Sequence, residues 1–189
     1  MNELDTSVDP QVPAKKRLQI FPASEVKDIT QTDMRKPSPP PPPERAALEP
    51  LFAKGRETGT TTRVLCQVSS EQVPGGLSLV HALFKSHYPL PAHSHDADCV
   101  YYILAGSAKV GARTLGPGDS IFVPANLFYS LTPGEDGVEF LEFRTADRYD
   151  TVVRSAAPAL WERNAATLKD RLAVWETEKY LSERPTSGS

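Results

Sequence analysis

The chain has 189 residues, 39% of them apolar, with Lys+Arg 21 against Asp+Glu 24 and a formal net charge of −3. That is enough apolar material for one sizeable core, and too little positive charge for a surface that binds nucleic acid or anionic lipid. No stretch of about 18 successive apolar residues occurs, so no membrane-spanning helix is expected.

The first residues, Met1-Asn2-Glu3-Leu4-Asp5, are polar and acidic instead of a basic segment leading into an apolar run, the pattern of an unprocessed cytoplasmic protein. In that compartment a lone disulfide is disfavoured, and Cys66 and Cys99 are expected as free thiols. Residues 1–17 are polar, lack periodicity and are interrupted by Pro10 and Pro13, as in a loose tail. Leu18-Gln19-Ile20-Phe21, ended by Pro22, reads as a short strand for a sheet edge, with Ser24 or Asp28 capping a turn after it. Proline is unevenly spread: 10 of the 18 lie in the first 50 positions, and six of the seven residues from Pro37 to Pro43 are proline. Such a run favours an extended polyproline spacer. Residues 1–57 are therefore expected to form a mostly flexible Pro-rich arm.

From 58 to 150 the character changes to short apolar or alternating runs separated by turn residues. Thr61–Val68, Leu77–Lys85, Val100–Leu104, Ala108–Val110, Ser120–Val123, Phe128–Leu131 and Val138–Arg144 read as strands. Pro74-Gly75-Gly76, Ala105-Gly106-Ser107, Gly116-Pro117-Gly118-Asp119, Pro124-Ala125-Asn126 and Pro133-Gly134-Glu135-Asp136-Gly137 carry turn chemistry between them. Many short strands without intervening helices give an all-β sandwich or barrel. Residues 151–189 switch period. With Pro158 at the first helical position, Leu160 or Trp161, Ala165, Leu168, Leu172 and Trp175 recur at threes and fours, which predicts an amphipathic helix to about Leu181 and a loose tail from Ser182. Its apolar stripe suits a seam against the parent domain or a dimer contact.

Chemistry concentrates around His87, His93 and His95. Residues two apart on a strand face the same way, so His93 and His95 can present both imidazoles to one site. The segment His93-Ser94-His95-Asp96-Ala97-Asp98-Cys99, followed after six intervening residues by Gly106, resembles the first motif of the cupin superfamily: H-x-H, three or four residues, an acidic ligand, six residues, G. Gly118-Asp119 through Pro124-Ala125-Asn126 to Tyr129 resembles its second motif, G-D-x4-P-x-G-x2-H. The resemblance covers roughly residues 60–145 and implies a double-stranded β-helix, or jelly-roll, barrel with a metal in its mouth. It departs from the pattern at four places: the opening Gly is His87, the acidic ligand is Cys99, the second-motif Gly is Asn126 and the final His is Tyr129.

Carried over residue by residue, the resemblance makes His93 and His95 metal ligands, with Cys99 in a third ligand position. Imidazole with thiolate suits Zn²⁺, Fe²⁺, Co²⁺, Ni²⁺ or Cu over Mg²⁺ or Ca²⁺. Tyr129 is a weaker ligand because its phenol ionises near pH 10, and it reads instead as a catalytic proton donor or acceptor. Alternatively Cys99 is a small apolar filler and Tyr129 a hydrogen-bonding wall. Tyr101 shares parity with Cys99 and is expected in the wall of a substrate pocket. Asp98 offers a substitute acid, Glu142 with Arg144 is either an interior ion pair or an outer charged face, and His81 and His87 fall outside the site. Two functions follow: a metal-dependent enzyme (isomerase, lyase or dioxygenase) on a small carbonyl or enol-type substrate, or a non-catalytic small-molecule binding or sensor module. A homodimer through an apolar outer sheet face, with residues 18–21 and the C-terminal helix added to the contact, is the expected assembly.

Overall fold

The computed structural model describes residues 17–184. Residues 1–16 of the tail expected over 1–17, and the last five residues, 185–189, lie outside them. In chain order the elements are β1 (Lys27–Asp28), α1 (Pro43–Ala46), α2 (Glu49–Gly59), β2 (Thr60–Val68), β3 (Leu77–Phe84), β4 (His93–Ser94), β5 (Cys99–Val110), β6 (Arg113–Leu115), β7 (Ser120–Val123), β8 (Thr132–Arg144), β9 (Val152–Val153) and α3 (Pro158–Thr177).

All strand pairing within these elements is antiparallel. One sheet runs β1-β2-β3-β8-β5-β6 with β7 on the first half of β5, and a second, two-stranded sheet pairs β4 with β9. The core lies on the inner faces of β3, β5 and β8, where Ala82, Tyr101, Ile103, Val138 and Phe140 are buried together. Burial along β5 alternates strictly from Cys99 to Ile103, the period-two pattern of a strand with one face inward. Val100, Tyr102, Leu104, Phe122 and Phe143 stand exposed on the outer face of the same strands, where the expected homodimer contact would lie.

Several expected boundaries move for local reasons. Ala105-Gly106-Ser107 is not a hairpin but an irregular step inside one long strand: the register to β8 shifts between Ile103 and Ala105 and again between Gly106 and Ala108. Gly106 sits there at φ +73, and a Cβ would strike the carbonyl of Gly137, so a bulge replaces the turn. Phe128–Leu131 forms no strand, only the isolated bridge between His93 and Tyr129. Leu18–Phe21 forms none either; the edge strand is Lys27–Asp28, and Asp28 caps the 3-10 turn after it in a capping box with Gln31.

The larger correction concerns the arm. The boundary expected at 57/58 falls inside α2, which runs directly into β2. Pro50 stands in its first turn, and Phe52, Gly55 and Gly59 form its buried face. A Cβ on Gly59 would come within 2.9 Å of both Trp175 and Tyr88, and one on Gly55 would collide with Leu168. Glycines at those positions let α2 lie close against α3, and they also erase the apolar periodicity by which a helix is recognised. From α3, Trp161, Leu168 and Trp175 are buried in a cluster with Phe52 and Tyr88, so the stripe serves as a seam within the chain. The helix ends at Thr177, four residues short of expectation, because Glu178 turns to accept hydrogen bonds from the Ser86 amide (2.8 Å) and hydroxyl (2.6 Å). Ser182, expected in a loose tail, belongs to a 3-10 turn, and its amide donates to Glu139.

Candidate functional site

β4 holds only two residues, and His93 is fixed from both sides. Its strand pairs with Val152–Val153 on one edge, and on the other its amide and carbonyl exchange 3.0 Å hydrogen bonds with Tyr129. The two rings stand 4.6 Å apart between centroids. His95 follows outside the strand, its carbonyl accepting from the Asn126 amide at 2.7 Å. The loop after it is tied to the 149–151 segment: the Asp96 and Asp150 amides each donate to the other's carboxylate, at 3.0 and 2.9 Å. Asp96 also pairs with Lys36 of the arm.

The hydrogen bonds of the two rings set their chemistry. Nδ1 of His93 lies 2.8 Å from the Pro91 carbonyl, and Nδ1 of His95 lies 2.7 Å from the Asp150 carbonyl. A carbonyl oxygen only accepts, so each Nδ1 carries the proton and each Nε2 keeps a lone pair. Burial holds the His93 pKa below its ordinary value. The same desolvation, reinforced by the positive charge of Arg144 and by His93, pulls His95 down to about 2. Both imidazoles are therefore neutral near pH 7. Among the described residues neither Nε2 has a hydrogen-bond partner, and both rings line one cavity of about 380 Å³.

Tyr101 and Tyr129 line the same cavity and hydrogen-bond through their hydroxyls. Burial, then the nearby Glu142 carboxylate, raises both phenols above their usual range, so each holds its proton. Glu142 and Arg144 resolve to the interior, paired at 2.5 Å, with the guanidinium 4.0 Å over the ring of Tyr149.

The structure does not bring Cys99 into this group. Its side chain sits in the apolar core with Ile103, Val123 and Phe140 and does not line the cavity. Burial pushes its thiol up to about 12, the reverse of what a resting thiolate ligand needs. Asp98, the substitute acid, is exposed and accepts a hydrogen bond from the Ala125 amide. Among the described residues no three His, Cys, Asp or Glu side chains come together as a metal-holding group. Of the expected ligands the cavity thus offers two imidazoles, His93 and His95, the donor type that suits a divalent transition ion. Cys66 and Cys99 are both unpaired.

Positive φ recurs at the motif glycine positions. Gly106 and Gly118 have φ of +73 and +91, and the two residues that replace family glycines, His87 and Asn126, also take positive φ, 55 and 62. A non-glycine at positive φ is uncommon, and here it falls twice at a motif glycine position. The chain has a cupin-like fold. No family model and no curated protein matches the sequence. Among solved structures the chain is similar to KdgF from Halomonas sp. (20% identity, 46% of this chain and 79% of that one, TM-score 0.40). It is also similar to the polyketide cyclase RemF from Streptomyces resistomycificus (22%, 58% and 83%, 0.44) and to an RmlC-like cupin from Shewanella frigidimarina NCIMB 400 (23%, 47% and 78%, 0.37).

Sequence reasoning misses the cavity's outer half. Arg35, Arg45 and Arg56 line it from the arm, and Tyr149 from the segment after β8. Leu48, Phe52, Gly55 and Gly59 do recur at helical spacing, which was the available signal for α2. Nothing in the sequence places Arg35 near the histidines, since that depends on a parallel bridge between Arg35 and Tyr149, 114 positions apart in the chain.

Proposed function

We propose that this cavity is a metal-dependent site for a small carbonyl or enol-type substrate, with His93 and His95 holding a divalent transition ion (Zn, Fe, Ni, Co or Cu) through Nε2. The observation that carries the reading is the pair of Nδ1 contacts to the Pro91 and Asp150 carbonyls, which leaves an Nε2 lone pair on each of two rings that line the cavity. A bound divalent ion would supply Lewis-acid polarisation of a substrate oxygen there. Tyr129, protonated and hydrogen-bonded to Tyr101, is the proton donor, and Tyr101 is the group from which it is reprotonated. The aromatic walls keep bulk water from the reacting atoms.

The test is elemental analysis of untagged protein: about one equivalent of a transition metal is expected, and His93→Ala should lose it with the fold intact. Metal-free native protein would sink this reading. The presence of only two histidine donors favours that outcome's counterpart, a non-catalytic small-molecule binding module, as the second reading.

A further inference from the structure

The cavity carries more positive charge than its own side chains neutralise. Four guanidiniums line it, from Arg35, Arg45, Arg56 and Arg144, against two carboxylates, Glu49 and Glu142. Both carboxylates are already engaged: Glu49 accepts from Arg45 and Arg56, and Glu142 from Arg144. Among the described residues no carboxylate lies within ion-pair distance of Arg35.

Arg35 is nevertheless placed by construction. The Lys36 amide donates to the Tyr149 carbonyl at 2.8 Å and the Tyr149 amide to the Met34 carbonyl at 2.9 Å, while Met34 itself is fully buried. These backbone bonds bracket Arg35, whose side chain lines the cavity together with His93, His95 and Tyr149. The same cavity is lined by the rings of Phe84, Tyr101, Tyr129 and Phe140. Arg35 is exposed and without an ion-pair partner among the described residues, and such a cation beside the aromatic rings of a cavity is a site for an anion with a flat apolar body.

We propose that Arg35, carried by the N-terminal arm, is the specificity-determining residue of the cavity and anchors the carboxylate of a small, flat, unsaturated or aromatic acid. This builds on the proposed function by placing the ligand in the same cavity, with its body against Tyr101 and Phe140 and its other polar end toward His93 and His95. Glu142 is taken up by Arg144, and among the described residues no carboxylate forms an ion pair with Arg35.

Calorimetric titration of the full chain with benzoate, its neutral isostere benzamide and inorganic phosphate tests the assignment, alongside metal analysis of each preparation. Benzoate is expected to bind at least ten-fold more tightly than benzamide or phosphate. Arg35→Gln should weaken benzoate ten-fold or more while leaving benzamide affinity, metal content and thermal melt unchanged, and Arg35→Lys should retain the preference for benzoate. Equal affinity for benzoate and benzamide, phosphate bound as tightly as benzoate, no benzoate binding, or an Arg35→Gln variant that binds benzoate normally would each overturn it. Native protein without metal that still shows Arg35-dependent preference for benzoate would sink the metal reading and keep this one. Metal-bearing protein that is blind to ligand charge would do the reverse.

Discussion

The arm and the barrel each contribute arginine–glutamate pairing to the same cavity, in opposite surroundings. In the barrel, Arg144 and Glu142 have side-chain exposures of 1% and 11%; in the arm, Arg56 and Glu49 have 45% and 43%. The chemical groups are the same, yet water screens the second pair and leaves the first to the protein. Arg144 therefore depends on its partner for its existence, whereas in the arm Arg56 and Glu49 are largely solvated, with Arg45, 6% exposed and also paired with Glu49, the buried exception. This difference assigns the two halves different work: the barrel fixes protonation states, and the arm selects ligand charge.

The comparison is most sharply tested by breaking each pair. Glu142→Ala leaves a buried guanidinium unpaired and is expected to cost about 3–5 kcal/mol in urea unfolding. Replacing both partners, Glu142→Leu with Arg144→Met, should recover most of that loss. Arg56→Ala should cost under about 1 kcal/mol, in the range of exposed pairs. Equal costs at the two sites would remove the distinction between the halves.

A smaller and pH-dependent effect follows from the barrel's phenols. Burial raises the pKa of Tyr101, Tyr129 and Tyr149, and brings Tyr88 to about 12. An acid whose folded pKa lies above its unfolded value keeps its proton in the native state after the unfolded chain has lost it. Stability from these groups is thus fully present below about pH 10 and falls as pH rises beyond it, by up to about 1.4 kcal/mol per pH unit for each tyrosine. Tyrosinate absorbance followed against pH should show these phenols ionising only together with loss of the near-ultraviolet dichroism of the folded state. Ionisation near pH 10 in the folded protein would show that the cavity wall is wet.

Legibility in the sequence divides along the same line. Most barrel strands are readable because inward and outward residues alternate, and the site histidines because two motifs fix their spacing. The motif departures at His87 and Asn126 are also interpretable, since both take the positive φ of the glycines they replace. The orientation of Glu142 and Arg144 is not readable from one strand, because parity defines two faces without saying which is inside. It becomes readable only with the register that sets Tyr101 opposite Glu142 and Cys99 opposite Arg144. The arm is illegible for a different reason. Its helix buries Gly55 and Gly59 beside Phe52 against α3, which thins the apolar stripe, and the placement of Arg35 rests on backbone pairing with a distant segment, which leaves no mark in side-chain chemistry.

Cys99 gives the smallest expected effect and the finest test of the barrel half. A thiol pushed up to about 12 by burial presents almost no thiolate near neutral pH, and a thiol that does not line the cavity is shielded whether or not a metal is bound. Cys66 is only partly buried, so alkylation of native protein with iodoacetamide should modify Cys66 alone, with Cys99 reacting only after denaturation. Adding a chelator should change nothing. If Cys99 becomes reactive when metal is stripped, the thiol is a ligand after all, and the barrel holds its ion through three residues instead of two.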